Sequence, residues 1–215
     1  MSSFPNRRAA GQALARLVQH YRDQPDLLVL GLPRGGVPVA FEVALALAAP
    51  LDVLLVRKLG YPGHPELAMG AIASGNIMIF NPSITALGHI RQSDIDAVVR
   101  HERAELQRRE RVYRGSSPPL ALAGAHVLLV DDGLATGATM EAAIRAVRNQ
   151  APAHIGVAVP VSSTEAAVRI KALADEVVAL IVSDDLGSVG QFYDDFGQTS
   201  DSEVCTLLAK VAHHR

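Results

Sequence analysis

The run Val127-Leu128-Leu129-Val130-Asp131-Asp132-Gly133-Leu134-Ala135-Thr136-Gly137-Ala138-Thr139-Met140 constrains this chain more than any other stretch. Its first four residues are all Val or Leu, which suits a strand covered on both faces. A glycine-bearing turn then opens directly into the helical run 140–148, so a strand-turn-helix unit is predicted. Gly133 and Gly137 let the backbone turn sharply, while Thr136 and Thr139 can cap the helix. Several N–H groups are thereby left pointing at one spot, and such a spot binds a phosphate. The helix dipole contributes ~0.3–1 kcal/mol to an anion there, with directed N–H bonds adding to it. Asp131 and Asp132 would by themselves repel a phosphate. They make sense facing hydroxyls or a metal ion beside it, as on a sugar phosphate.

Other phosphate loops do not fit. A Walker loop ends in Gly-Lys-Ser/Thr, and a dinucleotide fingerprint needs G-x-G-x-x-G; this run has neither. It closely resembles the motif of type I phosphoribosyltransferases that binds 5-phosphoribosyl-1-pyrophosphate (PRPP), where apolar residues, two acids and a Gly/Thr-rich turn occur in this order. The resemblance implies that Ala135, Thr136, Gly137, Ala138 and Thr139 cradle the 5′-phosphate. It also implies that Asp131 and Asp132 grip the ribose hydroxyls, directly or beside a Mg²⁺ held through PRPP and water.

Upstream, apolar residues at Ala10, Leu14, Leu17, Val18 and Tyr21 recur at helical spacing, and Pro25 ends that helix. Leu27-Leu28-Val29-Leu30 reads as a buried strand running into Gly31-Leu32-Pro33-Arg34-Gly35-Gly36. The helix that follows, 37–48, is apolar almost all round and must be sandwiched between sheet and other protein. In type I phosphoribosyltransferases a similar turn follows the first strand, with a basic residue before glycine that binds pyrophosphate. Arg34, Gly35 and Gly36 match it. Related loops often hold a cis peptide, which is expected here between Pro33 and Arg34. A second strand is predicted over 52–59, ending in Arg57-Lys58. In the same family a mobile loop after the second strand begins with such a basic pair and closes over pyrophosphate. The catalytic candidates are therefore Asp131, Asp132, Arg57 and Lys58.

Between Lys58 and His126 the chain is too long for a simple crossover helix, so an excursion from the sheet is expected. Residues 60–65 read as a Gly/Pro-rich loop carrying His64, and 68–80 as a flap-like hairpin turning at Gly75-Asn76. His64 and Glu66 are minor candidates for contacting substrate when the flap closes. Ser93 is predicted to cap a long helix to Arg114, with Ile95, Val99, Leu106 and Tyr113 on one face. Its arginines alternate with Glu102, Glu105 and Glu110, the pattern of a solvated face, though packing of a second subunit stays open and would make a homodimer. After the loop 116–119 and the central run come a strand over 154–161, a helix capped by Ser162 or Ser163, and a strand over 176–182. Ser200 and Glu203 form a capping box for a last helix to Ala212.

Strands alternating with helices predict an α/β fold: a doubly wound, mostly parallel sheet of about five strands, with both glycine turns at strand C-terminal ends. One domain over 1–215 is expected, with a core at about 26–60 and 120–183, a flap excursion at about 60–115, and a small hood from 1–25 and 184–215. A chain of 215 residues suffices for one such core. The aperiodic segment 187–198 carries Phe192, Tyr193 and Phe196 in a chain that is only 4% aromatic. Phe192 or Tyr193 is a candidate platform for a planar acceptor, with core anchoring as the competing assignment. Asp195-Phe196-Gly197 spells a kinase triplet, but no other kinase motif accompanies it.

A net charge of −2 and a pI near 6.4 offer no electrostatic footprint for nucleic acid or anionic membrane. The partners expected are PRPP, pyrophosphate and a small acceptor. One cysteine excludes an intrachain disulfide framework, and the first residues lack a continuous hydrophobic region, so a cytoplasmic protein is expected. Across nearly its whole length the chain resembles the bacterial phosphoribosyltransferases that carry a Gly-Leu-Pro-Arg-Gly-Gly turn and a terminal Phe-Tyr-x-x-Phe segment. That resemblance implies PRPP binding with Mg²⁺ as cofactor. The resulting expectation is transfer of a phosphoribosyl group to a nitrogen acceptor such as a nucleobase, with release of pyrophosphate. A PRPP-binding regulator without transferase activity and a PRPP or nucleotide hydrolase are the alternatives.

Overall fold

The computed structural model describes residues 3–75, 77–81, 84, 91–115, 117–118 and 120–212, with backbone alone at Pro65 and Glu66. Asn76 of the expected turn, and Ser116 and Pro119 of the expected loop, lie outside the described residues.

Five strands, β1 (Leu27–Gly31), β2 (Leu51–Val53), β6 (His126–Val130), β7 (His154–Ser163) and β8 (Glu176–Ser183), form one sheet in the order β2-β1-β6-β7-β8. All four pairings are parallel. Side chains alternate across a strand, so β6 supplies both cores. Val127 and Leu129 face Met140, Ala143, Ile144 and Val147 of α4 (Ala138–Arg148) and Ile170 of α5 (Thr164–Lys171). Leu128 and Val130 face Leu14 and Ala15 of α1 (Arg7–Leu17) and Val39, Val43 and Leu47 of α2 (Gly36–Leu47). Helices therefore cover both faces, which explains why the strands read as unbroken apolar runs. Each fully buried leucine of this kind contributes about 1.5–3 kcal/mol.

The nearly all-apolar α2 is sandwiched as its composition requires. Its one acid, Glu42, is 8% exposed and accepts from Arg8 at 2.8 Å and Gln12 at 3.0 Å. Two of the expected caps hold: the hydroxyl of Ser163 accepts from the Ala166 N–H at 3.0 Å, and that of Ser200 from the Glu203 N–H at 3.1 Å, opening α6 (Asp201–Ala212).

Three expectations need correction. The predicted second strand is two strands in two sheets. Only β2 joins the main sheet; the chain crosses at Leu54 and Leu55, and β3 (Val56–Tyr61) belongs to an antiparallel sheet with β4 (His64–Ala73) and β5 (Ile77–Phe80). The crossing is well held, because the Leu54 N–H donates to the Gly31 carbonyl at 3.1 Å and Ser74 pairs with both Leu55 backbone groups. The flap is consequently three-stranded, and the expected loop 60–65 shrinks to a turn at Pro62 and Gly63 between β3 and β4. The helix α3 (Gln92–Arg114) starts at an Arg91 N-cap with no side-chain bond, so Ser93 sits inside the first turn rather than capping it. Val99, Leu106 and Tyr113, each seven residues apart, pack α3 against Leu59, Met69 and Ile72 of the flap.

Candidate active site at the carboxyl ends of the strands

β1 and β6 are paired in register, Gly31 opposite Val130, so their two following turns emerge side by side. The Leu32 N–H donates to the Val130 carbonyl at 2.9 Å, and the Pro33–Arg34 peptide is cis, as expected. The turns then touch. A Cβ on Gly36 would come within 2.8 Å of the Asp131 Cα and the Val130 carbonyl, and one on Gly35 would overlap the Asp132 carboxylate. Glycine is required at both places because backbone and carboxylates fill the space a side chain would need.

Asp131 Oδ1 accepts from the Asp132 N–H at 2.8 Å. Burial, and then the neighbouring Asp132, push the Asp131 carboxyl well above the usual carboxylate range. Asp132 is also raised by burial, opposed by the guanidinium of Arg7. Arg7 Nε donates to Asp132 Oδ2 at 2.8 Å, and the Tyr193 hydroxyl donates to the Asp132 carbonyl at 2.7 Å.

Beyond the acids, Gly137 is the N-cap of α4 at φ 74°, a left-handed conformation that suits glycine. Thr136, Ala135, Ala138 and Thr139 surround it, and the loop is braced from behind. The Ser163 hydroxyl donates to the Ala135 carbonyl at 2.7 Å, and Arg169 donates to the Thr136 carbonyl at 3.3 Å. Thr136 Oγ1 accepts from the Ala138 N–H at 3.4 Å, whereas Thr139 lies within the helix. The turn thus presents the N-terminus of an 11-residue helix, whose first N–H groups have no intrahelical partner.

The basic pair lies across a cleft of about 780 Å³ lined by Arg57, Lys58, Tyr61, His101, Glu102 and Thr139. Of the residues expected to cradle phosphate, Thr139, in the first turn of α4, lines this cleft with the flap cations. Arg57 donates to Glu102 of α3 at 2.6 Å. Arg34 lies 3.8 Å from Asp201 at the start of α6, and Asp201 also accepts from Tyr113 at 2.6 Å. Burial, followed by that bond, pushes the Tyr113 hydroxyl up to about 12. A larger cavity of about 880 Å³ sits at the opposite ends of the strands, beside Asp26, Leu51 and Arg114. Arg114 there is committed to Asp52 at 3.0 Å, and none of the expected site residues lines that cavity.

Of the aromatic cluster, Phe192 is 3% exposed and packs with Ala10 and Val161, so it is a core residue rather than an acceptor platform. Tyr193 is 6% exposed, with its hydroxyl turned to the acid motif. Phe196 keeps 36% of its surface exposed and carries the Arg7 guanidinium 3.8 Å above its ring. His64 is exposed at the β3–β4 turn beside Tyr61, and the side chain of Glu66 lies outside the described atoms. Arg7, Glu102, Tyr113 and Asp201 were not singled out by sequence as site residues.

The donor set is two carboxylates, hard oxygen ligands suited to Mg²⁺. Among the described residues no group of three or more His, Cys, Asp or Glu side chains could hold a metal. Mg²⁺ fits only as an ion shared with ligand oxygens and water, its usual mode beside phosphates. Among the described residues no helix is long and apolar enough to cross a membrane.

Fold and site together define a doubly wound α/β protein with a carboxylate pair set between a cis turn and the glycine-bearing N-terminus of α4. The chain belongs to the phosphoribosyl transferase domain family, whose model matches residues 5–196. A Mycobacterium tuberculosis protein named "Putative phosphoribosyl transferase", in strains CDC 1551 and H37Rv alike, is 44% identical over 211 residues, 98% of this chain and 47% of that protein. The chain thus spans about half the length of these curated relatives. Among solved structures, TT1426 from Thermus thermophilus is similar at TM-score 0.86 and 46% identity, covering 98% of this chain and 99% of that one. The AQ2163 protein of Aquifex aeolicus shares the fold at TM-score 0.51 and 13% identity, covering 86% of this chain and 78% of that one.

Proposed function

We propose that this chain transfers the 5-phosphoribosyl group of PRPP to a nitrogen nucleophile, a nucleobase, with release of pyrophosphate. The observation that carries this reading is the contact between the two glycine turns. The acid pair packs directly on the Pro33–Gly36 turn, so groups suited to ribose and to pyrophosphate meet at one point.

The chemistry asks for no protein nucleophile. As pyrophosphate leaves, carbon one of the ribose becomes oxocarbenium-like, so the protein must neutralise the leaving group, hold the sugar and exclude water. Arg34, Arg57 and Lys58, with the backbone of Gly35 and Gly36, serve the leaving group. Asp131 and Asp132 accept from the ribose hydroxyls, while residues 135–139 receive the 5′-phosphate at the N-terminus of α4. Asp131 and Asp132 would hold Mg²⁺ jointly with PRPP oxygens and water, and the ion would offset charge on the leaving group. Closure of the β3–β4–β5 sheet over the cleft would exclude water.

Pyrophosphate release from PRPP and Mg²⁺, measured against a panel of nucleobases, tests the proposal. Release that depends on one base supports transfer. Release without any base would indicate a hydrolase, and PRPP binding without release would indicate a regulator; either result contradicts the transferase reading.

A further inference from the structure

Arg7 belongs to no recognised motif, yet its guanidinium is the most heavily bonded cation at the acid pair. It stands in the first turn of α1 with a side chain only 12% exposed. Its Nε donates to Asp132 Oδ2 at 2.8 Å, its Nη1 donates to the Gly197 carbonyl at 2.7 Å, and its face lies 3.8 Å from the Phe196 ring centre. Arg8, the next residue, has a side chain 74% exposed. The position is therefore built, because three separate groups from two distant parts of the chain converge on one guanidinium.

The surroundings make this a junction. Phe4 and Tyr193 pair as a short bridge: the Phe4 N–H donates to the Phe192 carbonyl at 2.8 Å, and the Asp194 N–H donates to the Phe4 carbonyl at 2.9 Å. Residues 4–7 and 192–197 thus form one cap, tied to the acid motif by the Tyr193 hydroxyl on the Asp132 carbonyl and by Arg7 on the Asp132 carboxylate.

We infer that Arg7 is a positioning residue for the sugar end of the site: it fixes the Asp132 carboxylate and offsets its negative charge, so that an anionic sugar phosphate can approach. The inference rests on the transferase reading above and deepens it. Two uncompensated carboxylates would repel PRPP, and a carboxylate free to rotate would not present a fixed acceptor to a hydroxyl. Lysine could supply the charge at this place but not the planar fork that serves Asp132, Gly197 and Phe196 together. Pyrophosphate alone would use Arg34, Arg57, Lys58 and the backbone of Gly35 and Gly36, whereas the hydrogen bonds of Arg7 go to Asp132 and Gly197. Arg7 should therefore matter for the ribose and not for the diphosphate.

Calorimetric titration of Arg7→Ala, Arg7→Lys and the unaltered chain, each with PRPP and separately with pyrophosphate in Mg²⁺, tests this. Arg7→Ala is expected to weaken PRPP about 10–100-fold, the size of a charge-assisted hydrogen bond. Pyrophosphate affinity should stay within about threefold. Added methylguanidinium should restore part of the PRPP affinity of Arg7→Ala, and Arg7→Lys should fall between. If Arg7→Ala does not fold, Phe196→Ala removes the stacking face under Arg7 together with its ring contact to Tyr193, 5.0 Å between centroids, and should still weaken PRPP while sparing pyrophosphate. Unchanged PRPP affinity in the folded variants would overturn the inference, as would equal loss for both ligands. Failure of the unaltered chain to bind PRPP would instead remove the transferase reading itself.

Discussion

At Gly36 the two turns of the site leave no room for a methyl group, since the position of a Cβ is already bounded by the Asp131 Cα and the Val130 carbonyl. Backbone on both sides cannot give way as a flexible side chain would. Gly36→Ala is therefore expected to destabilise the fold by about 1–3 kcal/mol and to weaken pyrophosphate binding, read from urea unfolding and calorimetry. A gentler cut is Tyr193→Phe. It removes the hydroxyl that donates to the Asp132 carbonyl at 2.7 Å and should cost about 1 kcal/mol of stability. A third residue, far from the site, makes stability depend on pH. Burial tends to raise the Glu176 carboxyl, but bonds from Tyr21 at 2.6 Å and His20 at 3.0 Å prevail and hold it below the ordinary value of 4.5. A carboxyl depressed in the fold stabilises it fully above its unfolded value, and that contribution disappears as pH falls through the folded value. Glu176→Gln should accordingly flatten the acid limb of a stability–pH curve below about pH 4.5 and change its slope little above pH 6. Equal slopes for both proteins on the acid side would show that Glu176 carries no such linkage.

Elements decide which residues can meet, and here the long helix α3 acquires a role that its alternating charges concealed. Glu102 on α3 holds Arg57 at 2.6 Å, and Tyr113 on α3 holds Asp201, the carboxylate beside Arg34. A bound diphosphate would draw on both arginines. Partly exposed ion pairs contribute ~0.2–1 kcal/mol, so Glu102→Gln is expected to tighten pyrophosphate binding about 2–5-fold. Weaker binding would mean that Glu102 holds Arg57 in its productive pose. From the chain alone Glu102 reads as one more charge on a solvated face, because its partner lies 45 residues away across an antiparallel sheet. The same limit hid the strand break at Leu54 and Leu55. Both are buried, at 1% and 3% exposure, and no glycine or proline marks the passage from one sheet to the other. Elements governed by local chemistry were legible: the apolar strands β1, β6, β7 and β8, and the Ser163 and Ser200 caps, all depend on neighbours in sequence. Ser93 misled because its pattern is that of a cap, while the helix begins one residue earlier, at Gln92.

Over the whole molecule, the parallel order β2-β1-β6-β7-β8 places the turn after β1 beside the turn after β6, although some 95 residues separate them in the chain. That adjacency was foreseeable, because two strand-turn units in a doubly wound sheet deliver their turns to the same edge. Arg7 was not foreseeable. Nothing in Asn6-Arg7-Arg8 distinguishes the buried arginine from the exposed one, and only the convergence of residues 196 and 197 and the acid motif on Arg7 does so. The acid pair at this junction is the proposed PRPP site. Calorimetric titration with PRPP and Mg²⁺ should show saturable binding to the unaltered chain and none to Asp131→Asn/Asp132→Asn, with both proteins folded by circular dichroism. Unchanged affinity in the double variant, or no binding by the unaltered chain, would contradict it.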